Sequence, residues 1–413
     1  MFKIGSNLTI IKNFSYLSFI QILTLLVPFI YYPYLIRKFS IEQYGLVIFI
    51  QSIIMIFSII VDFGFNIYGT KLVSENRENK NRIDEIYTNI FFTKLILIII
   101  CFFIFSLFIC TNDILRNNLS ISILLYFILF GEIFSPQWLF QGLEKIKLAA
   151  IINFISKIFL LLFIFSGTNT NLGFYAFPLS LALSSIMNGL GSYFVIKHKL
   201  NIKIVKTSLN SIQFYIKESY SFLLSRAAGS IIIRLNTYLL GNYVGFSQVA
   251  YYDLAEKIIN LLTIPINMLN QVIYPHIARN KKYIIAFTLI KFLLPLYILV
   301  YLLCWFFGEK CIILFAGSNM IPAFNVLLIL YITLFFNIIS YFLGNCVLVV
   351  HGKKDDFNNS TYWGLLIYCF SLFIIYNFLG INIINSSWLI VLNSFVVCIY
   401  RIKKVILYKH QLV

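Results

Sequence analysis

The chain has 413 residues, of which 60% are hydrophobic and 11% charged, and its net charge is +17. A soluble domain of this size does not have such a composition. Nucleic acid is excluded as a partner, because the basic residues are scattered over short gaps between apolar runs and not gathered on one domain.

A hydrocarbon core about 30 Å thick is crossed by about 20 helical residues. Continuous apolar runs of that length predict helices over 14–36, 43–67, 87–110, 120–140, 148–166 and 174–196, and then over 218–241, 248–275, 284–307, 323–350, 361–379 and 383–400. The strands of a barrel would instead alternate over about 10 residues. The expected fold is an all-α polytopic membrane protein of about twelve transmembrane helices in two six-helix lobes. The longest gap sets the boundary: 1–200 is the expected N-terminal lobe, 201–217 an inter-lobe loop and 218–413 the C-terminal lobe. Two segments echo each other. Phe39-Ser40-Ile41-Glu42-Gln43-Tyr44-Gly45 opens the second span, and Gly245-Phe246-Ser247-Gln248-Val249-Ala250-Tyr251 opens the eighth. Six spans per half would make such repeats parallel. The first apolar run begins near Phe14 and has no small-residue cleavage site behind it, so it reads as a span and not as a signal peptide.

Charge placement orients the chain. Numbering the gaps alternately puts 22 of the 32 Lys and Arg on one side, including Lys71, Arg77, Lys145, Lys197, Lys203, Lys353 and Arg401. The other side holds only Arg37, Lys38, Arg116 and Lys310. Cation-rich loops stay in the cytoplasm, so both termini are expected there, facing anionic membrane lipids. The seven cysteines are dispersed without a CxxC pair, and His198, His276, His351 and His410 lie in or beside the basic gaps. Neither pattern makes a metal site, and no nucleotide-binding loop is present.

An ionisable residue deep in a span costs about 2.5–3.5 kcal/mol to insert, so each needs a reason. Lys94 and Lys291 lie near span ends and are expected to snorkel to the headgroups. The deep set is Asp62, Glu132, Lys157, Arg226, Arg234, Asp253, Glu256 and Lys257. Arg226, Ser230 and Arg234 are spaced by four and rise along one helical stripe. Asp253, Glu256, Asn260, Thr263 and Asn267 form a second stripe at three–four spacing. These stripes are expected to line a hydrophilic cavity, with Lys257, Gln21 and Gln51 as further lining residues beside Asn153, Asn236 and Asn270. Small polar groups also act as interhelix glue. Arginine suits phosphate because its planar fork donates two parallel hydrogen bonds, and Arg226 lies nearer the cytoplasmic entrance than Arg234. Arg234 is expected to pair with Asp253 or Glu256. Asp62 is expected to be capped by Lys71 or water, and Glu132 to pair with Lys157. Coupling to H+ or Na+ is the alternative role for these groups, and no cofactor is expected. Pro28 and Pro265 lie deep in the first-pair helices of each half and are candidate hinges.

Asp62-Phe63-Gly64-Phe65-Asn66-Ile67-Tyr68-Gly69-Thr70-Lys71 and Pro136-Gln137-Trp138-Leu139-Phe140-Gln141-Gly142-Leu143-Glu144-Lys145 resemble patterns in bacterial O-antigen flippases of the Wzx type. Tyr251-Tyr252-Asp253-Leu254-Ala255-Glu256-Lys257 resembles the second-half counterpart. The resemblance implies the fold of the multidrug/oligosaccharidyl-lipid/polysaccharide exporters. It implies movement of an undecaprenyl-diphosphate-linked oligosaccharide across the bacterial inner membrane for O-antigen or a related surface polysaccharide, with a polysaccharide polymerase and a chain-length regulator as partners. A drug or cation exporter of the same superfold would favour acidic and aromatic cavity residues over arginines. A membrane-embedded glycan polymerase would need a sizeable outer loop, whereas the longest outer gap runs only over about 308–322. A peptidoglycan-precursor flippase fits the span count and motifs less well.

Overall fold

The computed structural model describes residues 4–280 and 283–408, with side chains from residue 15 onward except at 224–226, 228, 272, 275, 276 and 280. The helices in the N-terminal half are α1 (Ile4–Lys38), α2 (Ile41–Asp62), α3 (Phe65–Glu75), α4 (Lys80–Thr111), the short α5 (Asp113–Asn117), α6 (Leu119–Phe134), the short α7 (Gln137–Gly142), α8 (Ile146–Gly167) and α9 (Ala176–His198). The C-terminal half holds α10 (Leu209–Tyr243), α11 (Phe246–Asn280), α12 (Ile284–Ala316), α13 (Pro322–Tyr341), α14 (Lys354–Ile374) and α15 (Ile383–Leu407). Two π-helical stretches, Phe342–Val349 and Ile375–Leu379, extend α13 and α14. The twelve long helices fall on the twelve apolar spans. Ten of them, among the described residues, are long and apolar enough to cross a membrane. The other two, α10 and α11, carry the charged stripes.

The chain divides into two compact units. The first comprises residues 1–31 and 50–227; the second comprises 32–49 and 228–413. The end of α1 and the start of α2 thus belong with the second unit.

In the first unit α6 packs on α9 and α9 on α8. Helices in lipid gain little from apolar burial against each other, so close packing and hydrogen bonds carry their association. Gly131, Ser185 and Gly189 meet at the α6–α9 crossing, where the Ser185 hydroxyl donates to the Ile128 carbonyl at 2.8 Å. Phe57 of α2 meets Phe105 of α4 edge-on, and Ile20 of α1 packs on Ile146 and Ala150 of α8. In the second unit α13 packs against α11, α12 and α15, and α14 against α15. Buried phenols stitch these layers: Tyr297 donates to Leu262 O at 2.6 Å and Tyr331 to Tyr297 O at 2.9 Å. Phe102, Phe103, Leu107, Phe306, Phe370 and Phe373 are exposed at mid-helix positions, the pattern of a surface solvated by lipid tails.

The gaps assigned to one side of the membrane meet one another within each unit. Arg77 reaches Gly142 O at 3.0 Å and Glu144 at 2.9 Å. Asp356, in the first turn of α14, takes Lys404 and Tyr408 at 2.7 Å each. On the opposite side, Arg37 donates to Leu314 O at the end of α12 at 2.9 Å.

Candidate functional site

The deep charges of the second unit, Arg234, Asp253, Glu256 and Lys257, lie on α10 and α11, and Tyr44 of the 32–49 segment meets them. Polar residues recurring at three–four spacing along each helix place them. On α11, Asp253 and Lys257 are one turn apart and form an ion pair. Tyr44 joins them: its phenol donates to Asp253 Oδ2 at 2.8 Å and accepts from Lys257 Nζ at 3.2 Å. Lys257 also lies 5.9 Å from the ring centres of both Tyr32 and Tyr44, and the Tyr32 phenol donates to Ala250 O at 3.2 Å. Tyr44 reaches α11 because Gly45 follows it. A Cβ at Gly45 would stand 1.9 Å from the carbonyl oxygen of Phe246, so only glycine permits this approach. The two echoing segments, 39–45 and 245–251, therefore pack against each other.

Glu256 sits one turn away in a more open setting. Its Oε1 lies 3.8 Å from Arg234 of α10 and 3.4 Å from the Asn260 amide. The Arg234 side chain is 37% exposed and that of Glu256 15%. Arg234 thus pairs with Glu256 and not with Asp253, which Tyr44 and Lys257 occupy. A pair of this length and exposure is weak, so the guanidinium fork is available to another anion. Asn267 and Pro265 are exposed, whereas Thr263 is buried and bonded to the Ile259 carbonyl of its own helix. The Arg226 side chain lies outside the described residues.

Several expected lining residues act instead as glue. Asn236 is fully buried; its amide donates to Ser386 O at 3.2 Å and its Oδ1 accepts from Tyr368 at 3.4 Å, tying α10 to α14 and α15. Asn270 is buried and accepts from Asn345 of the π-helical stretch at 3.4 Å. Gln21 is exposed and Gln51 half-buried in the first unit. Pro28 and Pro265 lie within unbroken α1 and α11.

The acidic groups of the first unit find partners other than those expected. Asp62 pairs with Lys94 at 3.4 Å, both buried, while Lys71 turns to Glu75 on the surface. Lys94 therefore does not snorkel: it is the counter-ion that allows a carboxylate at the end of α2. Glu132 accepts from Ser58 at 2.7 and 2.8 Å, and no ion pair joins it to Lys157. Lys157 is half-buried and, among the described residues, forms no ion pair or hydrogen bond. Arg401, counted above with the loop cations, is buried in α15. It donates to Ser360 at 2.9 Å and to Ser340 O at 2.8 Å, and lies 4.2 Å from the Phe357 ring centre. Its position one residue past the last hydrophobic run gave it the look of a loop cation. The small polar residues Ser340 and Ser360 that receive it are silent in sequence.

The two quoted motifs of the first unit form one joint. After Asp62 the chain turns through the left-handed region at Phe63 (φ 45°) and Gly64 (φ 78°) before α3 begins. Gly69 of α3 rests against the buried Trp138 ring of α7, and Thr70 donates to Trp138 O at 3.3 Å. Glycines and a tryptophan at these positions are needed for the close crossing of α3 and α7.

A family model described as "Polysaccharide biosynthesis protein" matches residues 10–281. Two curated proteins named for O-antigen transport are similar over 278 residues, 66% of this chain: one from Escherichia coli (strain K12) at 27% identity and one from Shigella dysenteriae at 28%. The matched stretch spans 66% and 68% of those relatives' own lengths. Among solved structures, an inward-facing multidrug resistance MATE family transporter of the MOP superfamily superposes with a TM-score of 0.75 at 14% identity, covering 95% of each chain. The lipid II flippase MurJ in an inward closed conformation gives 0.75 at 16%, covering 95% of this chain and 87% of that one. At these identities the likeness is one of fold.

Proposed function

The chain belongs to the polysaccharide biosynthesis protein family, and on that premise we propose that it flips undecaprenyl-diphosphate-linked oligosaccharide repeat units from the cytoplasmic to the periplasmic leaflet of the bacterial inner membrane, by alternating access, for O-antigen or a related surface polysaccharide. It is a transporter and not an enzyme; the polysaccharide polymerase and chain-length regulator act after it on the delivered units. On this reading both termini lie in the cytoplasm, which the division of loop cations supports, 21 to 4 once the buried Arg401 is set aside from the 22.

The observation that carries this proposal is the open polar patch on α10 and α11. Arg234 is partly exposed within a membrane helix, its carboxylate partner is 3.8 Å away, and Asn260 stands beside it. A fixed guanidinium in a partly dehydrated setting keeps its charge and can take two phosphate oxygens at once. Arg226 is two helical turns nearer the cytoplasmic end on the same stripe and meets the diphosphate first. Release follows when the binding surfaces rearrange toward the outside, with no covalent step. Glu256, Asp62 and Glu132 are the acids through which H+ or Na+ could drive that change, and Pro28 and Pro265 the points at which α1 and α11 bend.

The test is surface-glycan display in a strain whose own flippase gene is deleted. Arg226→Ala should insert normally and abolish display, while Arg226→Lys retains part of it. Full display by well-expressed Arg226→Ala would remove that residue from the substrate path.

A further inference from the structure

A further cluster of cations lies at the basic end of the first unit, around the turn that follows α9. The chain leaves α9 at His198, and Asn201 adopts a left-handed conformation (φ 53°) that reverses it. Ile202 N then donates back to Ile196 O at 3.2 Å. The following segment is strapped to α4: Lys203 N donates to Asp84 Oδ1 at 3.0 Å, Val205 N to Thr88 at 3.1 Å, and Thr207 bonds Asn89. The inter-lobe loop is therefore held along α4 through its own backbone.

This reversal forms an open pocket of about 470 Å³ between α9, the strap and α4, lined by Lys197, His198, Lys203, Asn201, Tyr87 and Tyr193. Tyr87 is 2% exposed, and its phenol oxygen has no hydrogen-bond partner among the described residues. A buried hydroxyl without a partner is destabilising, and a ligand oxygen would satisfy it. Lys197 and His198 also face the carbonyl end of α9, which favours cations, but Lys203 arrives from the strap and has no such role. No carboxylate is among the lining residues, and Asp84 of α4 accepts from the strap backbone. Exposed apolar side chains flank the opening: Phe194 lies one turn before His198 on α9 and Ile204 follows Lys203.

We propose that this cavity binds the phosphodiester headgroup of an anionic glycerophospholipid, with the acyl chains running down past Phe194 and Ile204. Lys197 and Lys203 hold the phosphate charge, and the Tyr87 phenol donates to a headgroup oxygen. A soluble phosphate compound would use the same cations but gains nothing from the apolar flank, so the lipid is the assigned occupant. The bound lipid would bridge α9 and the strap, fixing the inter-lobe loop on the first unit.

Native mass spectrometry of the purified full chain, offered phosphatidylglycerol and phosphatidylcholine in equal amounts, tests this. One phosphatidylglycerol should be retained preferentially. Lys197→Gln/Lys203→Gln should lower its retention about twenty-fivefold, since each lysine beside an anionic surface contributes about fivefold. Tyr87→Phe should lower it severalfold with the charge unchanged. Lys145→Gln/Lys147→Gln, two exposed loop lysines outside the cavity, should leave it unaltered. Equal retention of the two lipids, or equal loss in both lysine pairs, would overturn the site. Displacement of phosphatidylglycerol by millimolar inorganic phosphate would overturn the lipid assignment in favour of a soluble anion.

Discussion

Asp62 and Lys94 show what a single ion pair does inside a membrane bundle. Both are buried and 3.4 Å apart, so removing one leaves an uncompensated charge, which costs about 3–5 kcal/mol. Replacing both with residues of similar volume removes the desolvation cost along with the attraction and is close to neutral. Lys94→Ala should therefore lower thermal stability in detergent markedly, and Asp62→Asn/Lys94→Met should recover most of it. Equal destabilisation by the single and double variants would show that the two side chains do not act as a pair. The identity of this pair was not legible in the sequence. Lys94 lies close enough to a span end to reach the headgroups, and only the packing of α2 on α4 turns it inward. Arg234 was different: the three–four spacing of Glu256 and Asn260 placed the right acid on the right stripe. Between Asp253 and Glu256, however, the sequence had no means to choose, because Tyr44, which claims Asp253, lies 209 residues away.

The elements themselves were legible because each apolar run is long enough to span and ends at a polar gap. What the sequence concealed is how the runs are broken. The second span stops at Asp62 and restarts as α3, since Phe63 and Gly64 take positive φ. A Cβ at Gly64 would also stand 2.7 Å from the backbone nitrogen of Leu223, so both strain and contact oppose substitution. Gly64→Ala should cost at least the 1–2 kcal/mol of a left-handed non-glycine residue, read as a lower melting temperature; an unchanged melting temperature would mean the turn relaxes. The π-helical stretch Phe342–Val349 has no clear sequence signal either. Arg401 supplies a donor to the Ser340 carbonyl just before it.

At the scale of the whole molecule, the loops that meet within each unit are those that the alternating count of cations assigned to one side: 77 with 142 and 144, 203 with 84, and 356 with 404. Topology reporters fused after Gly308 should accordingly read periplasmic and after Lys353 cytoplasmic; the reverse at both sites would overturn the orientation. Transport of a lipid-linked glycan from one leaflet to the other is read out by leaflet accessibility. Purified protein is reconstituted into vesicles carrying a fluorescent undecaprenyl-diphosphate-linked oligosaccharide, and a membrane-impermeant reagent is added outside. With wild-type protein the inner-leaflet pool should become accessible, and with Arg226→Ala it should stay protected as in protein-free vesicles. A protected inner pool in the presence of folded wild-type protein, under an imposed H+ or Na+ gradient as well as without one, would contradict the assignment.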